Sequence, residues 1–314
     1  KLKKTNYLEI GNRRKAIKTA IQKSEPEEII LIAGKGHEVT QDYGKKILNI
    51  SDKSIIKSIN FVGKKFTKNN YNQYLNSKIL RKIVNKNKNF SFEGVSFNSK
   101  EVKKGNLFIA IKGLRNDGHE FVSEAIKKGA NFCVVSKNIK VKNKSYLIKC
   151  NNTINFLYNL AFSKRSHSKA KVIAVTGSSG KTTVKTLLGK ILKVFGDTYY
   201  SPKSFNNHYG VPFSLSNLEN SHKFGVFEIG MSKKGEINNL SKLVKPNLGI
   251  ITNIAEAHIE NFKNIKEIAK AKGEIIKNID KGGSLILNRD GKFFSFLKNL
   301  AENRGVKVLS FGNS

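Results

Sequence analysis

At 314 residues the chain is long enough for two ordinary domains and part of a third. Its 39% apolar and 26% charged residues match globular usage and exclude collagen-like, mucin-like and wholly disordered chains. The net charge of +35 invites a nucleic-acid reading, but arginine supplies only seven of the 58 basic residues, and base-reading sites favour arginine's bidentate fork.

Lys, Asn and Ile are in excess along the whole length, which is the mark of biased codon usage, so no specific nucleic-acid partner is expected. Polyphosphates would still be attracted to the charge. No apolar run approaches the ~18 residues of a membrane helix. The opening KLKKTNYLEIGNRR lacks the apolar segment of a signal peptide. Cytoplasmic location without membrane insertion is the expectation. Cys133 and Cys150 lie in apolar contexts with no CxxC neighbour, so they read as small buried hydrophobes and not as a disulfide or zinc pair.

In chain order, RRKAIKTAIQKS places Ala16, Ile17, Ala20 and Ile21 on one helix face, and Pro26 stops it. A strand EEIILIAG follows, then GKGHE, then a helix over 52–59 capped by Ser51. From Lys53 to Phe92 there is no Asp or Glu, and GKKFTKNNYNQY within that stretch has no period. The boundary is expected here, with a basic linker over 61–73.

Residues 74–150 mix short strands (LFIAI, NFCVVS) with the helix HEFVSEAIKKGA, closed by Gly129. A connecting helix over 151–170 leads to a third region, 171–314. There KVIAVTG, VKTLLGKILKVFG, FGVFEIG, a helix, LGIITNI, a helix and SLILN alternate strand and helix. Continuous apolar strands in that order predict an α/β domain, a parallel sheet with helices on both faces.

TGSSGKTT, Thr176 to Thr183, sits at a strand-to-helix junction. A phosphate loop needs glycines that turn backbone N–H groups inward, a lysine for the β/γ-phosphates and a hydroxyl for Mg²⁺. Gly177, Gly180, Lys181 and Thr182 supply these, with Ser178, Ser179 and Thr183 between and after them. The GxxGKT spacing is two residues shorter than the general Walker pattern. Glu228 ends the apolar strand FGVFEIG, and His258 follows LGIITNIA, so both stand at strand ends where ligands gather in open α/β sheets. A hard cation takes the carboxylate first, and an imidazole can complete its shell.

These blocks, with SFNNHYGVPFSL and IAKAKGEII, resemble in order and spacing the central ATPase domain of the Mur ligases, the ATP-dependent amide-forming enzymes of peptidoglycan precursor synthesis. The nearest branch is the one that joins D-alanyl-D-alanine to UDP-N-acetylmuramoyl-tripeptide. FEGVSFNSKEVKKGNLFIAIKGLRNDGHEFVSEAIKKGA resembles that branch's smaller α/β N-terminal domain, which holds the UDP part of the substrate. The family's Asp-Ser-Arg is here Asn98, Ser99 and Lys100, of which Ser99 and Lys100 remain substrate-binding candidates. EIGNRRKAIKTAI and ILIAGKGHEVTQDYG resemble a C-terminal remnant of the diaminopimelate-adding member over 1–60, where Gly34 and Glu38 would touch substrate.

The resemblance implies ATP and Mg²⁺ as cofactors and an acyl-phosphate mechanism. By it Lys181 holds the β/γ-phosphates, Thr182 and Glu228 bind one Mg²⁺, and His258 binds a second. Lys272 is the lysine the family carbamylates, with Lys270 as its rival. Asn288 lies near adenine, while Asn206 and Asn207 belong to the substrate- and phosphate-positioning segment. The family's C-terminal domain is expected beyond Ser314, and the chain alone is expected to be inactive. The competing readings are the diaminopimelate-adding ligase, a folylpolyglutamate synthetase type and a lysine-rich nucleic-acid-binding P-loop ATPase.

Overall fold

The computed structural model describes residues 9–23, 32, 41–42, 47–48, 51–52, 55, 68–85, 90–113, 115–257 and 259–313. The chain divides into two units, Lys1–Asn69 and Asn70–Ser314.

In the first unit the expected helix is present as α1, Arg13–Lys23. Asn12 Oδ1 accepts from the Lys15 amide at 2.9 Å and caps its first turn. Two short strands, β1 (Gln41–Asp42) and β2 (Ile47–Leu48), pair antiparallel. A helical turn begins after Ser51, whose carbonyl accepts from the Ile55 amide at 3.0 Å. Arg13 grips Asp52 with both branches of its fork, at 2.8 and 2.6 Å. The strand expected over EEIILIAG, apart from Ile32, and the GKGHE loop with Gly34 and Glu38 lie outside the described residues, as does the rest of the 52–59 helix.

The expected linker needs a correction. Helix α2 spans Lys68–Val84, so 68–73 is helical. Polar residues carry no apolar period of their own, but they tolerate a helix once Leu75, Ile79 and Leu80 downstream bury one face against the core.

Four short strands follow, β3 (Val95–Ser96), β4 (Leu107–Ile109), β5 (Phe132–Val135) and β6 (Leu147–Lys149), all parallel and in chain order. Alternation along them supplies two cores. Leu107, Ile109, Val134 and Ile148 pack with α2, whereas Phe108, Ala110, Cys133 and Val135 pack with Val122 and Ala125 of α3, Val122–Lys127. Gly129, at φ +98°, closes that helix as the sequence predicts. Burial raises the Cys133 thiol to about 12, in keeping with an inert core residue.

Helix α4, Thr153–His167, joins the sheets. Phe156, Leu157 and Leu160 enter the core of the small sheet, and Ala161 enters that of the large one.

The large sheet has six parallel strands in the order β12-β11-β10-β7-β9-β8. They are β7 (Lys171–Thr176), β8 (Thr198–Tyr200), β9 (Phe224–Glu228), β10 (Leu248–Ile251), β11 (Ser284–Asn288) and β12 (Lys307–Phe311). The intervening helices are α5 (Lys181–Leu192), α6 (Gly210–Ser216), α7 (Glu236–Val244), α8 (Ile265–Gly273) and α9 (Phe294–Glu302). Helix α5 covers one face of the sheet through Val184, Leu188 and Leu192. Residues of α6 to α9 pack on the other.

Strands β8 and β12 and helices α6 and α9 go beyond the predicted order. Three-residue β8 has no period to read, and Pro212 makes the start of α6 look like a break, although proline is tolerated in a first turn. Among the described residues no helix is long and apolar enough to cross a membrane.

Candidate functional site

From β7 the chain runs out to β8 at the sheet edge, returns through β9, then crosses to β10 on the other side of β7. That reversal opens a crevice beyond the C-terminal ends of β7, β9 and β10. Every part of the candidate site comes from those three ends or from what packs on them.

The turn after β7 is built for closeness. Gly177 has φ +147°, and a Cβ there would stand 1.8 Å from Thr252 Oγ1. Gly180, at φ +78°, occupies the N-cap of α5 in a left-handed conformation that glycine adopts without penalty. The loop is laced to the segment after β10. The Ser178 hydroxyl donates to the Ala255 carbonyl at 2.8 Å, and the Ser179 amide donates to Asn253 Oδ1 at 2.9 Å. Thr252 Oγ1 donates to the Ser179 carbonyl at 2.6 Å. Such lacing fixes the backbone before any anion arrives.

Two ammonium groups meet on this loop. Lys181 Nζ donates to the carbonyl of Gly177 at 2.9 Å and to that of Ser178 at 3.2 Å. Lys272 Nζ, 3% exposed, donates to the same Gly177 carbonyl at 3.0 Å. Burial, with the like charge of Lys181 beside it, brings the Lys272 pKa down to about 7. Its rival Lys270 points outward and pairs with Glu267 at 2.8 Å. Residues i and i+2 face apart on α8, and Lys272 is the one that faces the loop.

Across the crevice Glu228 is 1% exposed. Its Oε2 accepts from the Thr182 hydroxyl at 2.8 Å, and its Oε1 accepts from the Asn206 amide at 2.7 Å. Ser204 Oγ lies 3.2 Å from Thr182 Oγ1. A Cβ on Gly230 would lie 2.8 Å from Asn206 Cγ, which is why glycine follows the glutamate so closely. A buried carboxylate held by a hydroxyl and an amide, beside a phosphate loop, has the hard oxygen chemistry that Mg²⁺ prefers, and so the pair fits that ion. Among the described residues no group of three or more His, Cys, Asp and Glu could hold a metal by itself. His258 lies outside the described residues.

Lys185 carries no motif, and sequence reasoning passed over it. It is 1% exposed on α5, and its ammonium donates to the carbonyls of Ser201 at 2.8 Å and Lys203 at 2.7 Å. Burial lowers its pKa and the nearby Glu228 raises it. The lysine thereby shapes the 201–206 segment, including Lys203 at φ +48°, that presents Ser204 and Asn206. The available signal was a lysine one turn past Lys181 on the inward side of an amphipathic helix.

The other expected residues have separate places. Asn207 Oδ1 accepts from the Gly210 amide at 2.9 Å and so caps α6, while its neighbour Asn206 faces Glu228. Thr183 is exposed in the first turn of α5. Asn288 ends β11, two strands from β7, and its Oδ1 accepts from the Asp290 amide at 3.0 Å. In the small sheet Ser99 is buried and donates to Glu124 at 2.7 Å, whereas Lys100 is exposed. Asn98 caps their turn by accepting from the Lys100 amide at 3.1 Å.

Comparison with known families finds the Mur ligase family catalytic domain over residues 91–176 and the Mur ligase middle domain over 175–314. The chain is 43% identical over 221 residues to the UDP-N-acetylmuramoyl-tripeptide–D-alanyl-D-alanine ligase of Rickettsia prowazekii, covering 70% of this chain and 49% of that protein. The Escherichia coli protein of the same name is 35% identical over 200 residues, covering 64% and 44%. Among solved structures, MurF from Acinetobacter baumannii matches with a TM-score of 0.64 and 30% identity, over 75% of this chain and 53% of that one. MurF from Thermotoga maritima, solved in complex with ADP, matches with a TM-score of 0.58 and 32% identity, over 70% and 50%. The chain thus spans about half the length of the relatives it matches.

Proposed function

Residues 91–314 belong to the Mur ligase family, and on that premise we propose that the protein forms an amide bond at the expense of ATP, joining D-alanyl-D-alanine to UDP-N-acetylmuramoyl-tripeptide in the cytoplasm. The observation that carries this reading is the meeting of Lys181, Lys272 and the Thr182–Glu228 pair around one phosphate loop. The ADP held by the T. maritima relative supports the nucleotide.

In the proposed reaction a carboxylate oxygen of the tripeptide attacks the γ-phosphorus. The bond to ADP breaks and an acyl phosphate forms. The dipeptide amine then attacks the acyl carbon, loses a proton, and inorganic phosphate leaves. The protein's part in such chemistry is positioning and charge neutralisation. Lys181 and the amides at the start of α5 hold the phosphates, and Lys185 and Asn206 keep Glu228 aimed at Thr182. Thr182 and Glu228 would hold Mg²⁺, with His258 near a second ion, and the metal would neutralise charge on the transferring phosphoryl oxygens.

Lys272, with its pKa near 7, is substantially neutral at physiological pH, the state in which an amine takes up CO₂ as a carbamate. Such an anion would stand opposite Lys181 and balance its charge. The small sheet, with Ser99 and Lys100, is the part proposed to hold the UDP group. Residues 1–60 are read as a remnant of a diaminopimelate-adding relative.

Phosphate release from ATP tests the reading. Stimulation is expected when the UDP-tripeptide and D-alanyl-D-alanine are present together, and none with DNA or RNA. Stimulation by nucleic acid alone contradicts it. Because the chain spans half of its relatives' length, the binding of Mg-ATP, weakened in Lys181→Ala, is the second readout.

A further inference from the structure

Helix α5 has two apolar stripes. Val184, Leu188 and Leu192 face the sheet, and Gly189 presses so close that a Cβ there would lie 2.4 Å from the Tyr200 ring. Leu187, Ile191, Val194 and Phe195 form a second stripe, 54%, 55%, 84% and 62% exposed. Their spacing of four, three and one places them along the outer face and over the turn that ends the helix. An outer face is ordinarily polar, and contiguous exposed apolar surface of this kind marks an interaction site.

The charge of the surround identifies what it meets. Val194 and Phe195, at the turn that ends the helix, are the most exposed of the four and form the end of an apolar ridge. Lysines rim it. Lys190 is exposed on the same helix and Lys193 just after its end, and Lys223 donates its ammonium to the Phe195 carbonyl at 3.0 Å. Lys171 is exposed at the start of β7, in register with Phe224, which is in turn in register with Thr198. Asp197 lies on the same rim, its carbonyl accepting from the Lys223 amide at 2.7 Å.

The geometry points to the ridge as a peripheral docking surface for an anionic lipid bilayer, its apolar side chains entering the headgroup–acyl boundary and its lysines meeting the lipid charge. The placement suits an enzyme at work. Helix α5 runs back along β7, so the ridge lies at the end of the sheet opposite the phosphate loop, about 20 Å away along six strand residues. A docked molecule keeps its nucleotide crevice turned to solution. This inference stands apart from the identity of the reaction and fails or survives independently of it.

The chain contains no tryptophan, so Phe195→Trp in the full chain gives a single reporter. It is mixed with vesicles of phosphatidylcholine alone, or of phosphatidylcholine with phosphatidylglycerol, each made with and without brominated acyl chains. With the anionic vesicles the expected result is a blue shift and bromine quenching, both weakened by salt. The pair Val194→Ser with Phe195→Ser, which leaves the net charge at +35, is expected to lower partitioning on the order of tenfold at an unchanged melting temperature. Phe162→Ser, removing another exposed aromatic, leaves partitioning as it was. Binding without quenching, or equal binding by the serine pair, would mean that bulk charge alone attracts the chain and would overturn the inference. Self-association of the chain that disappears in the serine pair would assign the ridge to a second copy and overturn it equally.

Discussion

The two parallel sheets of Asn70–Ser314 are built alike and end differently. In the four-stranded sheet the strands lie in chain order, and several charged groups beside it pair with neighbours. Ser99 donates to Glu124, and buried His119 sits between Asp117 Oδ1 at 2.6 Å and the Ser136 amide at 2.9 Å. Lys137, with His119, holds the Asp117 carboxyl well below the usual carboxylate range. In the six-stranded sheet the strand order reverses, and the groups in the resulting crevice are unbalanced. Two lysines share one carbonyl, and a buried carboxylate rests on neutral donors. Matched groups hold a fold together, whereas unmatched ones facing a crevice await a ligand of complementary charge.

Substitutions can break that contrast. The largest effect is expected from Lys181→Ala and Glu228→Gln, each lowering phosphoryl transfer by roughly 10²–10³-fold, read as phosphate release at saturating ATP. Next is Gly177→Ala, whose methyl would collide with Thr252 and displace the loop, so Mg-ATP binding measured by calorimetry should vanish. Gly180→Ala, where a Cβ meets open space but φ is +78°, should cost only about 1 kcal/mol in stability and weaken binding modestly. Lys185→Met leaves two carbonyls without their donor and should raise the dissociation constant for Mg-ATP while the melting temperature falls slightly.

Lys272 gives a pH-dependent version of the same contrast. Its pKa is lowered in the fold, so between about 7 and the ordinary lysine range the unfolded chain binds more protons than the native one. Stability from this group therefore rises with pH through that window, and below about 7 the cost of a buried ammonium is fully present. Lys272→Met should melt higher than the parent below pH 7, with the gap closing as pH rises, although phosphoryl transfer is lost. The smallest effect belongs to the matched sheet. Ser99→Ala should lower stability by about 1 kcal/mol in urea titration and leave Mg-ATP binding unchanged.

What could be read from the residues follows from how local each signal is. The phosphate loop and Glu228 rest on turn chemistry and an apolar strand, contained within a dozen neighbours. Lys272 rests instead on the family resemblance, helical facing saying only that one of Lys270 and Lys272 could face the site. Lys185, Asn206 and the Thr252–Asn253 lacing depend on which strands lie side by side, and that pairing brings together residues 16 to 74 positions apart in the chain. The helical start of α2 escaped because its first turns are stabilised by apolar residues that come later. Asn206 and Asn207, adjacent in sequence, face different tasks because a helix begins at Gly210, whose amide donates to Asn207.

Equilibrium binding of ATP, measured with Mg²⁺ and with a chelator on the parent chain and on Glu228→Gln, tests most directly whether one metal-bound triphosphate organises the crevice. Tight binding by the parent only when Mg²⁺ is present, with Glu228→Gln indifferent to the metal, is the predicted result. A Glu228→Gln chain that kept the full metal enhancement would contradict it.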